Sequence, residues 1–291
     1  MRFSLSLSGG GARGAVHVGV LKALEEEGLK PAALSGTSAG AFVAALYAYG
    51  ISVEELEQWV HWLARNGMWY VDVDFGGILK LIAQVFFKKE IMLSGLIKGK
   101  KLEGLICGII GDIQIEEIPK KLIIPAVDLN TGKTIVFANR IQEKGEIGKE
   151  IQWETRGRLC KIVRASASVP GIFQPVEWNP YYLVDGGITH NLPVDLLAEI
   201  GEDNILAVSA GIMYKKPKDR SIVEVLTHSF SIMGETLKEC TSNQERFLLK
   251  PELPEEAGLL SFEYMTECMS LGYEETKERM PQIKKALGVP I

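Results

Sequence analysis

An α/β fold with a mainly parallel central sheet is what this sequence predicts. Two observations carry it. Short apolar strand segments alternate with segments of helical periodicity along most of the chain. The first two strands each run through a glycine-rich turn into a helix, rather than through a hairpin into another strand. With 291 residues, 46% of them hydrophobic, there is ample material for a buried core.

Residues 2–7 alternate apolar residues with serine, which suits a strand. The turn Gly9–Gly14 follows, and Ala15–Glu27 then carries Val16, Val20, Leu21 and Leu24 at helical spacing, with Gly28 as its C-cap. A short strand at Ala32–Ser35 leads into a second turn, Gly36–Gly40, and a helix that ends at Gly50. Ser52 and Glu55 form a capping box for a helix reaching about Arg65. Residues 66–118 show apolar stretches without strand alternation and are expected to be irregular helices, a candidate cap over a site. Leu122–Asp128 and Lys133–Ala138 read as a hairpin across Asn130-Thr131-Gly132. A helix over Arg156–Ala167 is closed by Val169-Pro170-Gly171, and Tyr181–Val184 is a strand that turns at Asp185-Gly186-Gly187. Pro193 opens a further helix, Asn204–Ser209 is a buried strand, and the chain after Lys215 is mainly helical apart from a strand at Phe247–Leu249. No repeat or linker interrupts the chain, so 1–291 is expected to form one domain, with 216–291 as its mainly helical C-terminal part.

The net charge of −5 argues against a nucleic-acid partner, whose recognition needs basic clusters. The first seven residues hold too short an apolar run for a secretory signal, and no apolar run is long enough for a membrane-spanning helix. Cys107, Cys160, Cys240 and Cys268 are scattered and form no C-x-x-C pair, which is the pattern expected of reduced thiols in a cytoplasmic protein.

Gly9-Gly10-Gly11-Ala12-Arg13-Gly14 lies between a strand and a helix, where backbone N–H groups can face a ligand. A dinucleotide site would want an acidic residue at the end of the second strand, where Ala33-Leu34-Ser35-Gly36 has none, and no Gly-Lys-Ser/Thr makes a P-loop. A developing oxyanion is the natural client, worth about 3–4 kcal/mol per donor. Gly36-Thr37-Ser38-Ala39-Gly40 has the G-x-S-x-G pattern of a nucleophile elbow, again between strand and helix. Both motifs fall at the same end of successive strands, where open α/β sheets bind ligands.

A serine nucleophile needs a base. His17 lies among Val16, Val18 and Val20 and is expected to be packed in the core; His61 and His228 sit in helical segments without a motif. His190 is a candidate, five residues after Asp185. The other is Asp185 itself, which could take the proton directly if burial lifts its pKa, or could simply be an ordinary Asp-Gly turn.

In this order, the glycine turn, the elbow and Asp185-Gly186-Gly187 resemble the patatin-like phospholipases, as do Ala165–Pro170 with Phe173 and Asn191–Val194. The resemblance implies a three-layer α/β/α sandwich, a Ser–Asp dyad without histidine, and hydrolysis of lipid acyl esters. Carried over, Ser38 would be the nucleophile and Asp185 its base. Gly9–Gly11 with Arg13 and Gly14 would form the oxyanion hole, and Gly36, Gly40, Gly186 and Gly187 would support the two motifs. Arg13 would brace the turn, though a solvated arginine at a helix start reads equally well. Ser8 stands where many members have Asp. No cofactor or metal is called for, and the partner is a lipid or acyl ester. Ile78–Phe87, trailed by Lys88-Lys89, reads either as a segment making transient contact with a membrane surface or as a core helix. Two rivals stay open: a Ser–His–Asp triad using His190 or His228, and a nucleotide-binding regulatory module built on the glycine turn.

Overall fold

Nine strands form one sheet in a computed structural model of the protein, which describes residues 2–87, 93–141, 150–211, 222–241 and 244–290. In chain order the elements are β1 (Ser4–Leu7), a 3₁₀ turn over Gly11–Ala15, α1 (Val16–Glu26), β2 (Ala33–Gly36), α2 (Ala39–Tyr49), α3 (Val53–Asn66), α4 (Phe75–Phe86), β3 (Gly95–Ile97) and α5 (Lys100–Ile110). They continue with β4 (Lys121–Asp128), β5 (Thr134–Ala138), β6 (Ile151–Glu154), α6 (Leu159–Ser166), β7 (Gly171–Phe173), β8 (Val176–Trp178), β9 (Tyr181–Asp185), α7 (Val194–Glu199), β10 (Ile205–Val208), α8 (Ile222–Thr241), β11 (Phe247–Leu249) and α9 (Met265–Leu287).

The main sheet runs β11-β10-β1-β2-β4-β5-β6. Its pairs are parallel from β11 through to β4 and again between β5 and β6, while the β4–β5 hairpin is antiparallel. Side-chain alternation divides the two faces. Leu5, Leu34, Leu122, Ile124, Phe137 and Leu206 face the larger core, which the helices α1, α2, α3, α5, α6 and α9 cover. Ala33, Ile123, Val136, Ala138, Ile205 and Ala207 face a smaller core closed by α7. Helices on both faces make this a three-layer sandwich. The serines of β1 therefore do not face water: Ser6 accepts from Ser35 at 2.9 Å within the second layer.

One register detail sets up the site. The start of β4 (Lys121–Ile123) pairs with β2, and its end (Ala126–Asp128) pairs antiparallel with β9, placing Asp185 opposite Ala126. Strand β4 thus outruns β2, and β9 occupies the edge left free beyond the end of β2.

The capping box forms as read, with Glu55 N donating to Ser52 Oγ at 3.2 Å and Ser52 N to Glu55 Oε2 at 3.0 Å. Four strands among the described residues escape the sequence reading: β3, β7 and β8 have three residues each, below any measurable periodicity, so that β3 interrupts a stretch expected to be irregular helix, and four-residue β6 is an edge strand. Helix α6 starts later than expected, at Leu159, because Gly157 at φ 146° breaks the helical path before it. Lys215 and its neighbours, like Lys88-Lys89, lie outside the described residues.

The cysteine reading needs correction. Cys107 on α5 and Cys160 on α6 form a disulfide, with Cα atoms 5.3 Å apart. A separation of 53 residues hides a pair that helix packing brings together, so the inference of a reducing compartment loses its basis. Cys268 is a buried free thiol. No helix among the described residues is long and apolar enough to cross a membrane.

Helices α1 and α9 cross at glycine contacts: a Cβ on Gly19 would lie 1.9 Å from Met269 O, and one on Gly272 2.4 Å from Val16 O. Backbone cannot yield as a side chain does. Gly19→Ala is therefore expected to destabilise the protein by about 1–3 kcal/mol, seen as a lower urea midpoint at unchanged slope.

Candidate active site

Ser38 follows the end of β2 and begins the turn into α2 with φ 54° and ψ −118°, a conformation that L-residues rarely hold. Neighbouring contacts over-determine it. Thr37 N donates to Leu7 O, Gly40 N to Thr37 O, and Ser38 N to Ser166 Oγ at 3.1 Å. The turn is too tight for side chains on its glycines: a Cβ on Gly36 would sit 2.4 Å from Gly40 O, and one on Gly40 2.3 Å from Leu7 O.

Asp185 ends β9, with its N–H donating to Ser168 O and its Oδ1 accepting from Gly187 N at 2.7 Å. Like Ser38, it is less than one-tenth exposed. Burial raises its carboxyl to about pKa 7; the Gly187 N–H, the Ser38 hydroxyl and the charge of Arg164 act in the opposite sense and do not offset it. The serine hydroxyl is near enough to favour the charged carboxylate, yet Oδ2 accepts no hydrogen bond of ordinary geometry.

In the glycine turn the amides divide by role. Gly9 N donates to Asn191 O at 3.0 Å, and a Cβ on Gly9 would meet Ser38 Cβ at 3.3 Å, so Gly9 is packing for the elbow with its amide already spent. Ala12 N is spent on Leu259 O. The amides of Gly10 and Gly11 donate to no acceptor among the described residues. Gly11 holds φ 60°, and its backbone runs so close to Leu259 that a Cβ would fall 2.5 Å from Leu259 O. Gly14 packs on Ala39, joining this turn to the elbow. Arg13 is buried, not solvated; it donates to Ala210 O at 3.1 Å and Ala257 O at 2.9 Å and thereby ties the turn to two later loops. Burial lowers its pKa to about 10, which leaves it charged. Ser8 accepts from Ala210 N and donates to Gly9 O, bridging β1 to the end of β10.

The histidines separate in the same way. His17 is fully buried, bonded to Ser8 O at 2.8 Å, and burial lowers its pKa to about 4. The ring of His190 contacts Thr189 Oγ1 and, at 3.1 Å, Asp195 Oδ2; the structure does not bring it to Ser38. His228 on α8 lines a polar cavity beside Glu224. Among the described residues, no cluster of His, Cys, Asp and Glu is suited to a metal ion.

Two cavities meet at Ser38. One, of about 150 Å³, is almost wholly apolar and lies under Phe42, Trp59, Tyr70, Leu102, Ile106 and Phe262. The other, of about 180 Å³, is more polar and includes Asp185, Asn191, Thr227, His228, Glu235 and Glu256. Gly11, Ser38, Val169 and Leu259 border both.

Arg164, Ser166 and Asn191 are site residues whose roles sequence reasoning did not see. Arg164 is fully buried on α6 and donates to Gly99 O (3.0 Å), Lys98 O (2.9 Å), Gln174 O (2.9 Å) and Ser168 Oγ. It thereby anchors Ser168, whose carbonyl holds Asp185 N. Local pattern gave no signal for it, because at helical spacing Arg164 falls off the apolar stripe of Leu159, Ile162 and Val163 and reads as a solvated arginine.

Fold and site describe an α/β protein with an elbow serine set against a buried carboxyl and a loop of unspent amides. Residues 5–198 match the model of the patatin-like phospholipases, and the chain belongs to that family. An uncharacterized NTE family protein of Mycobacterium tuberculosis is 31% identical over 208 residues, covering 72% of this chain and 49% of its own. The neuropathy target esterase sws of Drosophila melanogaster is 30% identical over 210 residues, 71% of this chain and 13% of that protein. The chain thus spans about half the length of the mycobacterial relative and much less of the fly protein. Among solved structures, VipD from Legionella pneumophila aligns with a TM-score of 0.49 at 15% identity, covering 97% of this chain and 66% of that one.

Proposed function

We propose that the protein is a serine hydrolase of lipid acyl esters, with Ser38 as nucleophile, Asp185 as its base, and Gly10 and Gly11 N–H as the oxyanion hole. In this reading 1–291 is one hydrolase domain and 66–118 its cap. The observation that carries it is the meeting of a strained, buried serine and a carboxyl poised near pKa 7 where an apolar and a polar cavity join. The family's description as phospholipases and the esterase name of the fly relative support the substrate class.

Ser38 Oγ attacks the ester carbonyl carbon while its proton passes to Asp185. The carbonyl oxygen becomes an oxyanion held by the two amides, each worth about 3 kcal/mol in the transition state. Collapse expels the alcohol, which takes the proton back from Asp185, and leaves the acyl chain esterified to Ser38. Water, deprotonated by Asp185, then attacks that ester; collapse breaks the bond to Ser38 Oγ, which takes the proton back from Asp185, and releases the carboxylic acid. The apolar cavity receives the acyl chain and the polar cavity the alcohol portion, so the bond to be cut lies where they join.

Hydrolysis of p-nitrophenyl esters of increasing chain length, alongside phospholipids, tests this. Rates are expected to increase as the chain fills the apolar cavity. His190→Ala and His228→Ala are expected to keep kcat within a few-fold, because neither ring is asked to move a proton. Loss of activity in either would replace the dyad with a triad, and hydrolysis of no ester at all would end the proposal.

A further inference from the structure

A row of large apolar side chains on the 66–118 segment stands in water. Met68, Trp69, Phe75, Leu79, Phe86 and Phe87 are each 63–80% exposed, along one stretch of chain from the end of α3 through α4. Scattered apolar residues on a surface need no explanation, but a run of this size marks a contact surface. Among the described residues, no helix or strand packs extensively on α4.

Three further observations indicate what covers it. First, the row is continuous with the apolar cavity. Trp59 and Tyr70 line that cavity, and both make edge-to-face contact with Trp62, which is 38% exposed, at 5.6 and 5.5 Å between ring centres. An apolar chain could pass from the exposed row to the cavity along these rings. Second, exposed cations neighbour the row in sequence or contact: Arg65, Lys80 and Lys100, with Lys101 donating to the carbonyl of Trp69 itself. Third, the nearby acids are turned inward. Asp72 accepts from the amides of Gly99 and Lys100 at the start of α5, and Asp74 accepts from Gly77 N and pairs with Lys98 at 3.3 Å. Tryptophan and other large apolar side chains beside lysines match the layered chemistry of a bilayer interface, apolar below and anionic above.

We infer that the 62–87 face docks on an anionic lipid surface, and that an acyl chain reaches the apolar cavity from that surface across Trp62. The second clause rests on the ester-hydrolase reading; the docking does not.

The test uses the full chain carrying Ser38→Ala, so that vesicles survive, sedimented with vesicles of phosphatidylglycerol alone or phosphatidylcholine alone. Binding is expected to phosphatidylglycerol and to be much weaker to phosphatidylcholine. Trp69→Glu, Phe75→Glu and Leu79→Glu should each weaken it about tenfold or more. Lys80→Glu and Lys100→Glu should each weaken phosphatidylglycerol binding by about fivefold or more at low salt, leaving phosphatidylcholine binding unchanged. With Ser38 restored, all five should hydrolyse p-nitrophenyl acetate at the unaltered rate, which shows that the fold and site are intact. Absence of vesicle binding, or binding indifferent to these changes, overturns the inference. So does an apolar-to-Glu variant that dissociates a dimer while vesicle binding persists, since a second copy would then be the occupant. Failure to hydrolyse any ester would sink the functional reading while leaving vesicle binding to be judged by itself.

Discussion

Ser38→Ala is expected to lower ester hydrolysis by about 10⁴-fold or more and to abolish labelling by a fluorophosphonate probe. The size of the effect follows from the proposed covalent route: without Oγ that route has no acyl-enzyme, and the proposed oxyanion donors can at best assist a water that nothing positions. The protein should still fold, because the hydroxyl is not among the contacts that hold the elbow; those run through Thr37, Gly40 and the amide of Ser38. Alanine would inherit the φ of 54° and the strain with it. Ser38→Gly should be equally inactive yet more stable than Ser38→Ala by about 1–3 kcal/mol, because glycine holds that conformation freely. Equal labelling of wild type and Ser38→Ala would remove the nucleophile assignment.

Asp185→Asn should cost about 10²–10⁴-fold in kcat and, at the same time, stabilise the protein. In the proposed mechanism the carboxyl must be ionised to accept the serine proton, so kcat/KM of the wild type is expected to rise as pH rises through about 7 and to be lost below it. Stability runs the other way. A carboxyl whose folded pKa is raised from 3.8 to about 7 takes up a proton on folding. Its destabilising effect is absent below the unfolded value, grows as pH climbs between the two, and is complete above about 7. An uncharged asparagine escapes that cost while its side-chain oxygen can still accept from Gly187 N. The gain at pH 8 is on the order of 4 kcal/mol, falling toward zero near pH 4, and is measured by urea unfolding at both pH values. Residual activity of the variant should lose the acid limb of the profile. A wild-type profile flat from pH 5 to 9, or a variant no more stable than wild type at pH 8, would contradict the role given to this carboxyl.

Loss of function paired with gain of stability is the signature of a site held in an unfavourable state by the fold around it. Here two separate costs are concentrated within one contact, a left-handed serine and a dehydrated carboxyl, and α6 supports both. Its Ser166 holds the Ser38 amide, and its Arg164 anchors the Ser168 that holds Asp185.

Much of this was legible in the residues. Helix and strand alternation announced the parallel sheet, because each element must carry the periodicity of the face it buries. The three glycine motifs announced the turns, since only glycine tolerates backbone as close as Gly40 lies to Leu7 O. The order of those motifs was enough to resemble a family and to nominate Ser38 and Asp185. What local pattern could not supply was anything that depends on how distant segments meet. The overrun of β4 past β2, which lets β9 deliver Asp185 beside the elbow, is a matter of register between strands more than 50 residues apart. The same holds for the Cys107–Cys160 bond, for Gly9 spending its amide on Asn191, and for burial lifting one carboxyl among many. Sequence determined which groups were available and how the chain turns around them. Only the tertiary structure decided which of them lose water and which find a partner, because desolvation and hydrogen bonding are properties of the packed environment and not of the residue.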